Sequence, residues 1–79
     1  MKALANKRRL AILKYLKHTR DAAVGDIAAE IRLSFKSTSK HLGVLYAAGM
    51  VEKDQRNVMM FYSLARTLHP AAKHIIATL

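Results

Sequence analysis

The chain has no cysteine and no tryptophan, a single proline, three glycines and only five acidic residues among its 79 residues. Without cysteine it can form no disulfide, bind no metal through thiolates and use no cysteine nucleophile. No apolar run approaches the roughly 18 residues that a membrane-spanning helix needs. The basic N-terminus is followed only by the apolar run 10–13, which Lys14 ends and which is too short for a secretory signal. The sequence therefore predicts a cytoplasmic protein without a membrane segment.

Basic and apolar residues are what the chain has in abundance. Its 14 Lys and Arg give a formal net charge of +9, and 52% of its residues are hydrophobic. This apolar content favours a folded domain over a disordered basic tail. No repeat or Gly/Ser/Pro linker divides the chain, so we predict one domain over residues 1–79. A chain of this size buries only about 60% of its unfolded surface, which favours a partner subunit.

The positive charge is concentrated at the start of the chain. Residues 1–20 hold seven Lys and Arg and no acid, whereas residues 21–64 balance at zero. A basic amphipathic helix in this segment fits three interpretations: contact with a polyanion, a solvated helix face, or a membrane surface. We favour polyanion contact, because the same helix also carries apolar residues suited to a protein core.

Three helices are predicted in the first 50 residues. The first, over residues 6–17, is indicated by a stripe at helical spacing that comprises Ala5, Arg9, Ile12, Leu13 and Leu16. A second, short helix runs from Val24 to Ile31, and its cap position holds Ala23, which has no side-chain acceptor. Ser34 is placed to cap a third helix over residues 35–48, and Gly49 ends it. This order is the organisation of a helix-turn-helix.

The third helix has two different faces. At 100° per residue, its packing face comprises Phe35, Thr38, Leu42 and Leu45. The opposite face comprises Lys36, Lys40, Gly43 and Ala47, with Ser37 and Ser39 beside them. This second face is polar, basic and free of bulky aliphatic residues, which suits a helix inserted into the major groove of DNA. We expect Phe35 to anchor the helix in the core, with contact to a thymine methyl as the alternative.

A hairpin follows the third helix. Residues 50–55 and 58–64 are predicted strands around a turn at Arg56 and Asn57, because Asn tolerates the left-handed conformation of a tight turn. In the second strand we assign alternate residues to the core, namely Val58, Met60, Tyr62 and Leu64. Met59 and Phe61 are left on the other side. A hairpin directly after a recognition helix is a wing.

A last apolar stripe predicts a C-terminal helix within residues 66–79. Its members are Leu68, Ala71, Ala72, Ile75, Ile76 and Leu79. Pro70 fits the first turn of such a helix. Since the other helices and the hairpin already form a core, we predict that this helix dimerises, with contacts from Leu68, Ala72, Ile75, Ile76 and Leu79. The alternative is that it folds back on its own domain.

Residues 33–51, with Ser39, His41, Leu42, Leu45, Ala48, Gly49 and Val51, carry a fairly specific pattern. The pattern resembles the recognition-helix signature of the ArsR-type (arsenic-repressor-like) winged helix-turn-helix transcription regulators. Residues 4–13 look like the first conserved helix of that family, and residues 60–64 look like the end of its wing. The resemblance implies a mainly α fold with a β-hairpin, and a homodimeric repressor that binds double-stranded DNA.

The chain departs from the family pattern at the metal sites. Metal-sensing members often carry a cysteine pair at the start of the second helix, where this chain has Ala22 and Ala23. Others use carboxylates and histidines on the last helix, but His69 and His74 lie five residues apart, about 140° around a helix, with no acid nearby. We therefore expect no metal and no cofactor.

The resemblance and the polar face together give a set of expected DNA contacts. Base-edge or nearby phosphate contacts are expected from Lys36, Ser37, Ser39 and Lys40, with guanine preferred for Lys36 and phosphate for Lys40. Arg56 and Asn57 at the wing tip are placed for phosphate or minor-groove contact. The complete set is Arg8, Arg9, Phe35, Lys36, Ser37, Ser39, Lys40, His41, Arg56 and Asn57. For Arg9 the alternative is an intramolecular anchor, and for His41 we favour packing beside the helix over phosphate contact.

Two functions of other classes stay open at this point. One is a sequence-neutral architectural protein that coats DNA or RNA through its basic first helix. The other is a winged-helix module that binds another protein through Met59, Phe61 and the terminal stripe. We expect no enzyme, because no nucleophile elbow, phosphate-binding loop or paired carboxylates organise the Asp, His and Ser residues.

Overall fold

A computed structural model describes residues 6–79 of the chain. Its elements are, in chain order, α1 (Lys7–Thr19), β1 (Asp21–Ala23), α2 (Val24–Ile31), α3 (Phe35–Ala47), β2 (Val51–Arg56), β3 (Met59–Leu64) and α4 (Pro70–Ala77). This order confirms the predicted winged helix-turn-helix with a C-terminal helix. Ala5, assigned to the first helical stripe, lies outside the described residues. Within residues 6–79, no helix is both long enough and apolar enough to cross a membrane.

The helix ends follow local side-chain chemistry. The Asn6 side chain accepts hydrogen bonds from the backbone N–H groups of Arg8 and Arg9, at 2.8 and 3.2 Å, and so caps α1. Ser34 caps α3 in the same way, because its Oγ accepts the Ser37 N–H at 3.0 Å. As the sequence predicts, α2 starts at Ala23 without a side-chain cap. Helix α3 ends one residue earlier than predicted, and Gly49 follows it with a φ of +75°.

The sheet has one strand more than the predicted hairpin. β1 pairs antiparallel with β3, with Asp21 opposite Ser63 and Ala23 opposite Phe61, and the strand order is β1-β3-β2. The sequence analysis predicts no strand between the first two helices, so β1 is an element that it missed. Three residues are too few to show the alternation by which a strand is recognised in sequence. The wing is thus anchored through its central strand to the segment between α1 and α2.

The turn of the wing lies one residue later than predicted. β2 extends to Arg56, which pairs with Met59, so the turn residues are Asn57 and Val58. Asn57 takes the predicted left-handed conformation, with a φ of 58°. The assignment of Val58 to the core is wrong: it is 95% exposed, because it belongs to the turn and not to the strand. The other predicted inward residues of β3 do pack on the core, namely Met60, Tyr62 and Leu64.

One core joins the helices and the sheet. Its largest fully buried side chains come from α1, α2, α3 and the residue before β2: Ile12, Leu13, Leu16, Ile27, Leu42, Leu45 and Met50. Burial of such side chains stabilises the fold by about 1.5–3 kcal/mol each, before the entropy of ordering is subtracted. The helix-turn-helix is therefore packed against this core.

Helix α4 packs on its own chain. Ala72 and Ile76 are buried in the same core, so their assignment to a dimer contact is wrong and the folded-back alternative holds for these two residues. The Lys17 ammonium on α1 donates to the Ala77 carbonyl at 3.0 Å, which ties the end of α4 to α1. Ala72 and Ile76 are not free for a dimer because the eight-residue helix α4 has one apolar side, and the centre of that side is already covered by the core.

Candidate nucleic-acid interface

Helix α3 turns one face into the core and the other to solvent. Thr38, Leu42 and Leu45 are fully buried, and they seat the helix against its neighbours. The residues of the opposite face are exposed: Lys36, Ser37, Lys40, Gly43 and Ala47. Ser39 is half-buried at the edge of that face. The two faces predicted from the 100° rotation are therefore confirmed for Thr38, Leu42 and Leu45 and for the polar residues opposite them. Val44 and Tyr46 of the same helix are also exposed.

Phe35 departs from the expected packing. It is 63% exposed, so its predicted role as a core anchor is wrong. Phe35 is the first residue of α3, and the buried stripe starts one turn later at Thr38, where α3 meets the core. Together with Val58 and Met59 of the wing, it lines an apolar groove of about 260 Å³ between the two elements.

The first turn of α1 brings further cations to α3. Arg8 is exposed and Arg9 half-buried, and both lie close enough to act electrostatically on His41 of α3, as does Lys40. Burial lowers the pKa of His41, and the positive charges of Arg9, Arg8 and Lys40 lower it further. Helices α1 and α3 are in contact although they are distant in sequence. We call the surface formed by Arg8, Arg9, Lys36, Lys40 and His41 the α1/α3 patch.

The exposed cations of this patch keep their charge available. Within residues 6–79, Arg8, Lys36 and Lys40 form no ion pair. His41 is half-buried, and its Nδ1 atom is buried without a hydrogen-bond partner in the described part of the chain. The patch therefore offers three positive charges without ion pairs, next to the short polar side chains of the exposed face of α3. Such a surface attracts polyanions.

The wing presents its charge differently. The Arg56 guanidinium donates to Asp21 Oδ2 from Nη2 at 2.7 Å and to Asp54 Oδ2 from Nε at 3.0 Å. Its carbon Cζ also lies 4.4 Å from the centre of the Phe61 ring. The hydrogen bonds to Asp21 and then to Asp54 raise the pKa of the Arg56 guanidinium above its usual range. Asn57 next to it is exposed at the tip, as the sequence predicts.

Two further contacts between distant residues were not visible in the sequence. The Lys53 ammonium lies 4.2 Å from the centre of the Tyr46 ring and so joins the base of the wing to the end of α3. Glu52 accepts the Arg66 backbone N–H at 2.7 Å, and this bond, followed by the Arg66 charge, lowers the pKa of Glu52. Both contacts fix the wing to its surroundings.

The histidines of the last helix have separate roles. The Nδ1 atom of His69 accepts the Ala71 N–H at 3.2 Å and so caps α4, while His74 is exposed on the helix. In the part of the chain that the structure describes, no three His, Asp or Glu side chains come together as a metal site would require. Of the predicted dimer contacts, Leu68, Ile75 and Leu79 are only half-buried against the core.

A capped recognition helix on a helix-turn-helix, followed by an antiparallel wing, defines a winged helix-turn-helix protein. The family described as "Bacterial regulatory protein, arsR family" matches residues 6–53, which is more than half of the sequence. The chain belongs to this family.

Individual relatives agree with this assignment. The chain is 36% identical over 67 residues to the transcriptional activator HlyU of Vibrio cholerae, and the match covers 85% of this chain and 61% of that protein. The structure of reduced HlyU from Vibrio cholerae superposes with a TM-score of 0.83 at 33% identity, covering 99% of this chain and 78% of the other.

A second solved structure adds a dimeric relative. The homodimeric winged helix-turn-helix DNA-binding domain of a possible ArsR-family regulator from Mycobacterium bovis superposes with a TM-score of 0.81 at 31% identity. That match covers 98% of this chain and 68% of the other. The chain thus spans its structural relatives only in part, and about 61% of the curated relative HlyU. The family and the fold are shown by these matches, and the relatives are named as regulators of transcription.

Proposed function

We propose that this protein is a sequence-specific transcriptional regulator that binds double-stranded DNA as a homodimer and represses. The observation that carries the proposal is the α1/α3 patch: an exposed, polar helix with unpaired Lys36 and Lys40, flanked by arginines of α1. A helix of this kind enters a major groove, where its N-terminal residues contact base edges. The surrounding cations contact phosphates.

The residue roles follow from position along α3. Lys36 and Ser37 lie in its first turn and are proposed as base-edge contacts, with guanine the preferred partner of Lys36. Lys40 is proposed as a phosphate contact, because it is exposed and, like Arg8 and Arg9, acts electrostatically on His41. Ser39 and His41 are half-buried and support the edge of the helix, while Phe35 is exposed enough to contact a thymine methyl.

A homodimer is supported by surface left on α4 and α1. Leu68, Ile75 and Leu79 are half-buried, and Leu10 and Tyr15 of α1 are similarly only partly covered. The Mycobacterium bovis relative is described as homodimeric. A two-fold dimer presents two copies of α3 and reads half-sites one helical turn, about 34–36 Å, apart.

Repression is proposed because it needs only occupancy of a promoter. A protein that covers its operator excludes other proteins without any further contact surface, so the proposed DNA contacts of α3 and the proposed dimer would be sufficient. The relative HlyU is named as an activator. A reporter placed behind the selected operator therefore tests the sign: repression supports this part of the proposal, and activation contradicts it.

Selection from a random duplex library, followed by affinity measurements from 50 to 200 mM salt, tests the DNA-binding role. We expect a pseudo-palindrome, a dimeric mass in sedimentation, and an affinity that falls about 1,000-fold or more across that range if six or more phosphates are contacted. Equal affinity for unrelated duplexes would support the architectural function instead. Binding to no duplex at moderate salt would support the protein-interaction module.

A substitution in α4 tests the dimer separately. Ile75→Asp places a charge on the half-buried side of α4 and should shift the sedimentation mass to that of a monomer, since burial of an unpaired charge is unfavourable. The matched control is Lys73→Asp, at an exposed position of the same helix. A dimer that survives Ile75→Asp would place the interface elsewhere.

A further inference from the structure

A single side chain of the wing reaches across the whole sheet. Arg56 is the last residue of β2, and β3 lies between β2 and β1 in the strand order. Its guanidinium stacks on the Phe61 ring of β3 at 4.4 Å and donates to Asp21 of β1 at 2.7 Å. Arg56 therefore contacts all three strands, and it joins the far end of the wing to the segment that links α1 to α2.

The local charge around Arg56 makes it a poor phosphate ligand. Two carboxylates, Asp21 and Asp54, lie within 3.0 Å of one guanidinium, so the three groups together carry a net charge of −1. A phosphate that approached Arg56 would also approach both carboxylates. Arg8 and Lys40, by contrast, have no such neighbours within residues 6–79. The position of Arg56 in the sheet, and not its charge, is therefore the feature that bears on DNA binding.

We propose that Arg56 is a positioning residue for DNA binding: it fastens the wing to β1 through Asp21 and Phe61, and so sets the angle at which Asn57 at the tip meets DNA beside α3. We call this contact the wing latch and define it as Arg56, Asp21 and Phe61. The inference rests on the proposed DNA-binding function. It replaces a phosphate contact by Arg56 with a mechanical role.

A matched pair of acid substitutions separates the two roles. Asp21→Asn and Asp54→Asn remove the same charge from the same cluster, but only Asp21 lies on β1. The latch predicts that Asp21→Asn weakens binding to the selected duplex by about twofold to fivefold, as expected for loss of one exposed ion pair, although its added net charge favours DNA. Asp54→Asn should leave affinity unchanged or raise it.

Substitutions of Arg56 give a second discriminating measurement. With the latch, Arg56→Gln and Arg56→Lys both weaken binding, because lysine lacks the planar guanidinium that stacks on Phe61 while its N–H groups donate outward to Asp21 and Asp54. The slope of log affinity against log salt is unchanged. With a phosphate contact, Arg56→Gln lowers that slope by about 0.9 for each of the two subunits of the proposed dimer, and Arg56→Lys retains most of the affinity. Asp21→Asn would then tighten binding by releasing the guanidinium.

The order of the wing is measured without DNA. Backbone relaxation and hydrogen exchange of residues 55–59 should show a more mobile wing in Asp21→Asn than in Asp54→Asn or the unaltered protein. An unchanged wing in Asp21→Asn overturns the latch whatever the DNA result. A second outcome is that the wing is mobile in Asp21→Asn but the unaltered protein binds no duplex. This outcome overturns the proposed function instead, and with it the role of the latch in DNA binding.

Discussion

The face of α3 and the tip of the wing contain the same kind of residues, yet the fold uses their charges in opposite ways. Lys36 and Lys40 lie on the exposed face of α3, opposite its buried side, and within residues 6–79 they pair with no acid. Arg56 is held by two carboxylates and an aromatic ring. The comparison shows that a count of cations in a sequence overstates the surface available to DNA, because contacts between distant residues decide which charges stay free.

The largest expected effect concerns how much the packing beneath α3 and at the tip of the wing contributes to the free energy of unfolding. Leu42→Ala opens a cavity beneath α3 and should lower the free energy of unfolding by about 2–5 kcal/mol. Val58→Ala in the wing should change it by no more than about 0.5 kcal/mol, since Val58 is 95% exposed. Urea denaturation followed by circular dichroism measures both variants. Similar losses in the two would mean that the wing tip is packed and the comparison is wrong.

The next effect concerns the charges. Lys36→Gln combined with Lys40→Gln should weaken specific DNA binding about 30-fold or more, because a base contact and a phosphate contact are lost together. The salt slope should fall by about 0.9 for each phosphate contact removed. Affinity is measured by fluorescence anisotropy at several salt concentrations.

The exposed lysine of α4 supplies the control for that experiment. Lys73→Gln makes the same chemical change outside the α1/α3 patch and should alter affinity by less than about twofold. If Lys73→Gln, which removes one charge, cost half or more of the binding free energy that the double variant loses, only net charge would matter, and α3 would have no special role.

A smaller effect concerns the underside of α3. The Thr38 hydroxyl is fully buried, and its Oγ1 has no hydrogen-bond partner among the described residues. Thr38→Val keeps the shape and removes the unpaired polar group, so it should raise the free energy of unfolding by about 1 kcal/mol without changing DNA affinity. Thr67→Val at an exposed position is the matched control. Destabilisation by Thr38→Val would reveal a partner that this account lacks.

The last effect depends on pH. Because the pKa of His41 is lowered in the folded protein, the unfolded chain takes up its proton first as pH falls. Stability should therefore be full above the unfolded value of about 6.5 and decline as pH falls below it. In His41→Gln this part of the decline should disappear, as measured by the melting temperature between pH 7 and 5. A profile that is identical in both proteins contradicts a lowered pKa of His41 in the folded protein.

Many of the helices, caps and turns could be predicted from the sequence, because they depend on local signals. Helical spacing identified the buried stripe of Leu42 and Leu45, and Ser34 could be identified as a cap because it is a short polar side chain that precedes a helix. Turn chemistry placed Asn57 in a left-handed conformation. Each of these depends on neighbours within one or two turns of the chain.

What could not be predicted depends on contacts between distant residues or on the exact ends of elements. β1 became a strand only because β3 pairs with it, and Arg56 met Asp21 across 35 positions of sequence. The places of Phe35 and Val58 changed because each lies at the end of an element, where the periodic pattern no longer fixes the environment. Ala72 and Ile76 belong to an apolar stripe. Periodicity does not specify whether the chain's own core or a partner subunit packs against that stripe.

The central claim is that the exposed face of α3, with the first turn of α1, binds duplex DNA. Titration of the isotopically labelled protein with its selected duplex, followed by amide chemical shifts, tests this claim most directly. We predict the largest shifts at residues 35–40 and at Arg8 and Arg9, smaller shifts at Asn57, and little change in α4. Shifts concentrated in α4 while residues 35–40 stay unchanged would contradict the account.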